Sequence, residues 1–109
     1  MNREIITYGT YFKDFLSNLT MKEKEKIDYV LDLLVAEHRL STNFVKYIRN
    51  GLYELRIKSE NNNYRIFFCF DGQKIVVLFS AFKKKTQKTP LKEIDRAYKL
   101  MKEYYGSKE

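Results

Sequence analysis

The sequence predicts an α+β chain in the order β-α-α-β-β-β-α, and three observations carry that prediction. Apolar residues recur at helical spacing in two early segments, residues 52–58 and 64–70 alternate with period two, and a Thr-Pro pair opens a last stretch of helical spacing. The 109 residues suffice for one domain, 1–109, that buries about 65% of the surface its unfolded form exposes. No Pro/Gly/Ser-rich linker divides it, and Pro90 is the only proline.

The first strand is expected over Glu4 to Tyr8, with Gly9 ending it and Thr10 offering a helix cap. Tyr11, Phe12, Phe15, Leu16 and Leu19 then mark a short amphipathic helix whose aromatic face belongs in the core. Thr20-Met21-Lys22-Glu23 has capping-box spacing, and Ile27, Val30, Leu31, Leu34 and Val35 form the stripe of a longer helix reaching to near Arg39. The two helices read as a hairpin.

Three strands follow. In 52–58, Tyr53, Leu55 and Ile57 share one face while Glu54, Arg56 and Lys58 share the other; in 64–70, Tyr64, Ile66, Phe68 and Phe70 oppose Arg65, Phe67 and Cys69. Matching the apolar faces antiparallel sets Arg65 opposite Arg56 or Lys58, so Arg56 and Arg65 share a face. A two-residue loop at Gly72-Gln73 would pair Phe70 with Ile75 and Arg65 with Ser80. The strand Lys74 to Phe82, apolar on both faces, reads as central. Thr89 as cap and Pro90 in the first turn then start a closing helix with Leu91, Ile94, Tyr98 and Met101 on its apolar side.

Charge is distributed unevenly along the chain. The net +7 lies entirely in residues 56–109, because residues 1–55 carry equal numbers of acids and bases. Phe82-Lys83-Lys84-Lys85-Thr86-Gln87-Lys88-Thr89-Pro90 concentrates four lysines without an acid, between a strand and a helix. Mutually repelling cations held in this way suit a surface that receives phosphates; the plain alternative is a solvated basic loop. Glu54, Arg56, Lys58 and Arg65 on paired strands, with Lys83, Lys84, Lys85 and Lys88 at the rim, then form one constellation. Arginines opposite each other destabilise a sheet unless an anion or an acidic partner lies between them.

Other residue types narrow the chemistry. One cysteine, Cys69, excludes an internal disulfide and a multi-cysteine zinc site, and its mid-strand place beside Phe67 suits a buried apolar role. The single histidine, His38, sits near the end of the long helix, away from the basic face, which excludes a paired-histidine ribonuclease. With four glycines there is no phosphate-cradling loop or dinucleotide fingerprint, so neither a cofactor nor a metal is expected. Most of the nine tyrosines and eight phenylalanines fall on apolar stripes, leaving Tyr53, Tyr64 and Tyr104 as candidates to stack on bases. Without a secretion-signal pattern or a membrane-spanning run, a cytoplasmic protein is expected.

Gly51-Leu52-Tyr53-Glu54-Leu55-Arg56, then Tyr64-Arg65-Ile66, then Val77-Leu78-Phe79-Ser80-Ala81 leading into the lysine run, then the 94–98 helix with Ala97, resembles the phage-derived HigB branch of the RelE/ParE toxin superfamily. Order and spacing match from about Phe44 onward, and the first half fits by element order. The resemblance implies a RelE-like single domain with a small twisted antiparallel sheet flanked by helices. It also implies a cognate antitoxin of helix-turn-helix type and cleavage of messenger RNA in the ribosomal decoding site. ParE members share the fold but poison gyrase. Carried over by position, the family's basic sites fall on Arg56, Arg65 and Lys84. Glu54 stands where the family often has another base, and the late catalytic tyrosine of RelE has no match after Pro90.

Cleavage without a metal requires a deprotonated 2′-hydroxyl, a stabilised phosphorane and a protonated leaving oxygen. Arg56 and Arg65 are therefore expected to clamp the phosphate, and Lys84, its pKa lowered by neighbouring cations, to protonate the 5′-oxygen. Glu54 is either the base or the group that orients Arg56; a carboxylate beside two arginines is a weak base, which favours orientation. A gyrase-directed toxin and a non-catalytic RNA-binding module remain as alternatives. The antitoxin is expected to cover the basic face with an acidic or amphipathic segment, or to displace the closing helix.

Overall fold

A computed structural model describes residues 3–36, 43–59, 61–85 and 88–108. Its elements are β1 (Glu4–Thr7), α1 (Tyr11–Ser17), α2 (Met21–Val35), β2 (Val45–Arg49), β3 (Leu52–Ser59), β4 (Asn62–Asp71), β5 (Ile75–Lys84) and α3 (Leu91–Ser107). The α+β class holds, with five strands in the order β1-β5-β4-β3-β2. Strand β1 runs parallel to β5, and the remaining neighbours are antiparallel.

Strand β2 is the element that alternation alone did not reveal. It lies on the sheet edge with Lys46, Tyr47 and Arg49 exposed, and a register shift between Tyr47 and Arg49 disrupts its period. The usable signal was Asn50-Gly51: with φ of 51° and 91°, these residues make the two-residue loop that pairs Arg49 with Leu52.

Helices α1 and α2 cover one face of the sheet. Phe12, Ile27, Val30 and Leu34 pack with Leu55, Ile57, Tyr64, Ile66 and Phe68. The capping box at Thr20 and Glu23 is formed in both directions. Helix α2 ends at Val35, so the expected extension toward Arg39, like His38, lies outside the described residues. Arg3 closes that end: its backbone N–H donates to the Val35 carbonyl at 2.7 Å and its Nη1 to the Leu34 carbonyl at 3.1 Å. Two expectations for α1 fail. Thr10 occupies the cap position without a side-chain cap bond, and Tyr11 is exposed beneath the Arg96 guanidinium.

The opposite face of the sheet carries α3, whose Ala97, Leu100, Met101 and Tyr104 bury Leu52, Phe67, Cys69, Val77 and Phe79. Leu91 is exposed, Pro90 rather than Thr89 takes the cap position, and the Thr89 hydroxyl is engaged elsewhere. Arg56 pairs with Arg65 as expected. The β4–β5 register differs: Asp71 pairs with Ile75 across a three-residue loop, and Arg65 faces Phe82 rather than Ser80. A bulge follows, where Phe68 pairs with Leu78 but Phe67 with Ser80, leaving Phe79 unpaired. No helix among the described residues is long and apolar enough to cross a membrane.

Candidate active site

Beyond the start of α3 the sheet face that this helix covers becomes polar. Cross-strand rows there run Lys46–Glu54–Phe67–Ser80, then Arg56–Arg65–Phe82, with Lys58, Asn63 and Lys84 in the outermost row. Alternation places Glu54, Arg56 and Lys58 on this face, but Glu54 is fully buried. A buried carboxylate needs partners for both oxygens. Oε1 accepts from Arg56 Nε at 3.2 Å and lies 3.7 Å from Arg65 Nε, while Oε2 accepts from the Thr89 hydroxyl at 2.7 Å. One acid thus gathers two guanidiniums from adjacent strands and ties the start of α3 to them.

The two arginines are held differently. Arg65 is enclosed, its side chain 12% exposed, with Nη1 donating to the Tyr64 carbonyl and Nε buried without a hydrogen-bond acceptor. Burial lowers its pKa against the opposing pull of Glu54, and Arg56 adds to the lowering. Arg56 keeps about a third of its side chain exposed. Lys84, in the last position of β5, also has a lowered pKa; burial is the largest cause, followed by Arg65, with Arg56 and Lys46 acting in the same direction. The expected crowding of Lys84 by cations is therefore present, but second to desolvation.

Lys83 turns to the other face, where its ammonium is 3.3 Å from Glu23 Oε2 and over the Tyr64 ring. Lys58, Lys85 and Lys88 are exposed. Lys46 is the cation that sequence reasoning missed; once β2 is paired, its register opposite Glu54 sets it on the site's face. Of the proposed stacking residues, Tyr64 and Tyr104 are buried, and Tyr53 packs among Tyr47, Phe68 and Phe70. Tyr64 instead donates to Glu23, and Tyr104 to Asp71 at 2.6 Å. Cys69 is buried, and its thiol pKa is raised by that burial.

Two clefts flank Arg65. One, of about 640 Å³, is lined by Asn61, Asn62, Asn63, Arg65 and Lys83 to Lys85. The other, of about 340 Å³, is lined by Asn43, Phe44, Arg56, Ile57, Lys58, Asn63 and Arg65. Fixed guanidinium forks facing such openings can bind a phosphate in two-point fashion, and an ammonium beside them can give up a proton more readily than an isolated lysine.

Residues 14–102 match the model of the family described as phage derived protein Gp49-like, a span that contains Glu54, Arg56, Arg65, Lys84 and most of α3. Over 70 residues the chain is 39% identical to proteins named probable endoribonuclease HigB1 from two strains of Mycobacterium tuberculosis, CDC 1551 and H37Rv. That alignment covers 62% of this chain and 55% of each relative, so the chain spans about half the length of the curated relatives it matches. With the family model covering most of its length, this chain belongs to the phage-derived Gp49-like family.

Proposed function

We propose that the chain is the toxin of a type II toxin–antitoxin pair and cuts messenger RNA on the ribosome. The observation that carries this reading is one buried carboxylate, Glu54, binding two arginines from adjacent strands beside a lysine of lowered pKa. The similarity to proteins named as endoribonucleases supports the same chemistry.

In the proposed reaction Arg56 and Arg65 hold the scissile phosphate and stabilise the charge that builds on its oxygens. The substrate's 2′-hydroxyl releases its proton to solvent water as its oxygen attacks phosphorus, the P–O5′ bond breaks, and the Lys84 ammonium delivers its proton to the departing 5′-oxygen. The products are a 2′,3′-cyclic phosphate and a 5′-hydroxyl. Both Glu54 oxygens are occupied, which favours an orienting role over that of base. The positive charge comes from the protein's own side chains, so cleavage is expected to persist in chelator. Lys58, Lys85 and Lys88 would guide the RNA backbone, whereas Lys83 is committed to Glu23. The partners are a cognate antitoxin of helix-turn-helix type and the ribosome, in the cytoplasm.

Induced expression with mapping of transcript 5′ ends tests the reading. Growth arrest with frame-dependent cuts ending in 5′-hydroxyls, suppressed by the antitoxin, is expected. Intact transcripts with loss of DNA supercoiling would replace it with a gyrase-directed toxin, and salt-sensitive RNA binding without products, even on translating ribosomes, with a binding module.

A further inference from the structure

Phe44 is 37% exposed, an uncommon position for a phenylalanine beside two arginines. It is also held in place, since its carbonyl accepts the Arg56 backbone N–H at 2.6 Å. Phe44 lines the smaller cleft together with Asn43, Arg56 and Asn63, a set that offers an aromatic residue and a guanidinium beside two amide-bearing residues. Nucleobases are bound by this combination: their faces stack on rings and guanidinium planes, and their edges pair with amides. The larger cleft differs in kind, being lined by lysines and asparagines with no aromatic residue.

We infer that the Phe44 cleft is a nucleobase subsite, and that it takes the base on the 5′ side of the phosphate held by Arg56 and Arg65. The direction rests on the reaction proposed above. Lys84, which protonates the leaving 5′-oxygen there, lines the larger cleft and not the smaller. The nucleotide that leaves through its 5′-oxygen therefore extends past Lys84. The nucleotide whose 2′-hydroxyl attacks extends the other way, over Arg56 toward Phe44. Phe44 would then determine which base stands before the cut, while the lysine-lined cleft takes the following nucleotide through its backbone.

Mononucleotides test this without cleavage or a ribosome, because the phosphate fixes the register. A nucleoside 3′-monophosphate places its base in the Phe44 cleft; the 5′-monophosphate of the same nucleoside places it on the Lys84 side. Titrations monitored by NMR should show wild-type protein binding at least one 3′-monophosphate about tenfold tighter than inorganic phosphate, in line with the strength of base–aromatic stacking, and tighter than the 5′ isomer. Phe44→Ala and Phe44→Leu should erase the difference between isomers, Phe44→Trp should keep it, and inorganic phosphate binding serves as the control for folding. Equal affinity for the two isomers, a preference that survives in Phe44→Ala, or no phosphate binding by wild type would overturn the assignment. No isomer preference in the wild-type protein, with its transcript cleavage intact, removes this subsite alone. Retained preference in a protein that cuts no RNA removes the ribonuclease reading and leaves the subsite standing.

Discussion

Arg65 is the residue on which the site turns, because it is enclosed, faces both clefts, and has a buried Nε with no acceptor. Replacing it with alanine should lower cleavage by about a hundredfold or more, the scale for loss of one preorganised charge donor, with little change in urea midpoint. Lys84 makes a separate prediction. As a general acid it must be protonated, so the rate should fall as pH rises through its pKa. Because that pKa is lowered, the decline should begin below the ordinary lysine value of 10.5. Lys84→Arg keeps the charge but cannot release the proton, and should cut activity and flatten that decline in a pH–rate profile. Thr89 is legible only from the structure: a Thr-Pro pair suggests a helix cap, yet the hydroxyl instead satisfies Glu54. No local pattern announces a bond between residues 35 positions apart. Thr89→Val should therefore impair cleavage through displaced arginines, and Thr89→Ser should restore it.

Among the elements, α2 was the most readable, since both its cap and its stripe are local in sequence. Thr20→Ala, which breaks the box, should cost about 1 kcal/mol in a urea titration. Glu23 joins that cap to Tyr64 and Lys83, and its pKa is lowered from 4.5 to about 2, chiefly by the backbone hydrogen bond at Thr20. A depressed carboxylate contributes stability above its unfolded pKa and loses it on protonation. The contribution should fade as pH drops from about 4.5 to about 2, and Glu23→Gln should remove that part of the acid sensitivity in thermal melts. The β4–β5 pair teaches a different lesson. A two-residue turn and an unbroken ladder both misdescribe it, but each error shifts the register by one residue. The three-residue loop reverses the expected faces from Ile75 to Phe79 and the bulge at Phe79 restores them from Ser80 to Lys84, so the faces held beside the arginines although the pairs did not. Bulges and loop lengths answer to packing across the sheet, here Phe79 against Tyr104, which sequence periodicity does not encode. Edge strand β2 escaped for a related reason: half of an edge is solvated, and its alternation is weak.

For the molecule as a whole, the resemblance carried more of the function than composition could, and the surplus charge of the second half carried the direction. From that half, Arg56, Arg65 and Lys84 converge with Lys46 of the first half on one sheet face. If Arg56 and Arg65 together neutralise the scissile phosphate and Lys46, Lys58, Lys85 and Lys88 one neighbouring phosphate each, the logarithm of RNA affinity should fall with the logarithm of salt at a slope of roughly −3.5, since single strands lose roughly 0.7 per contact. Lys46→Ala should reduce that slope by about 0.7, measured by fluorescence anisotropy over a salt series, whereas Lys83→Ala should leave it unaltered.

The bulge at Phe79 decides which of two adjacent lysines faces the arginines and which faces Glu23. If the proposed activity arrests growth, a saturation screen for survivors of induced expression should therefore recover many exchanges at codon 84. At codon 83 it should return chiefly those that lower the folded yield, because an identical letter one step earlier in the gene belongs to the scaffold.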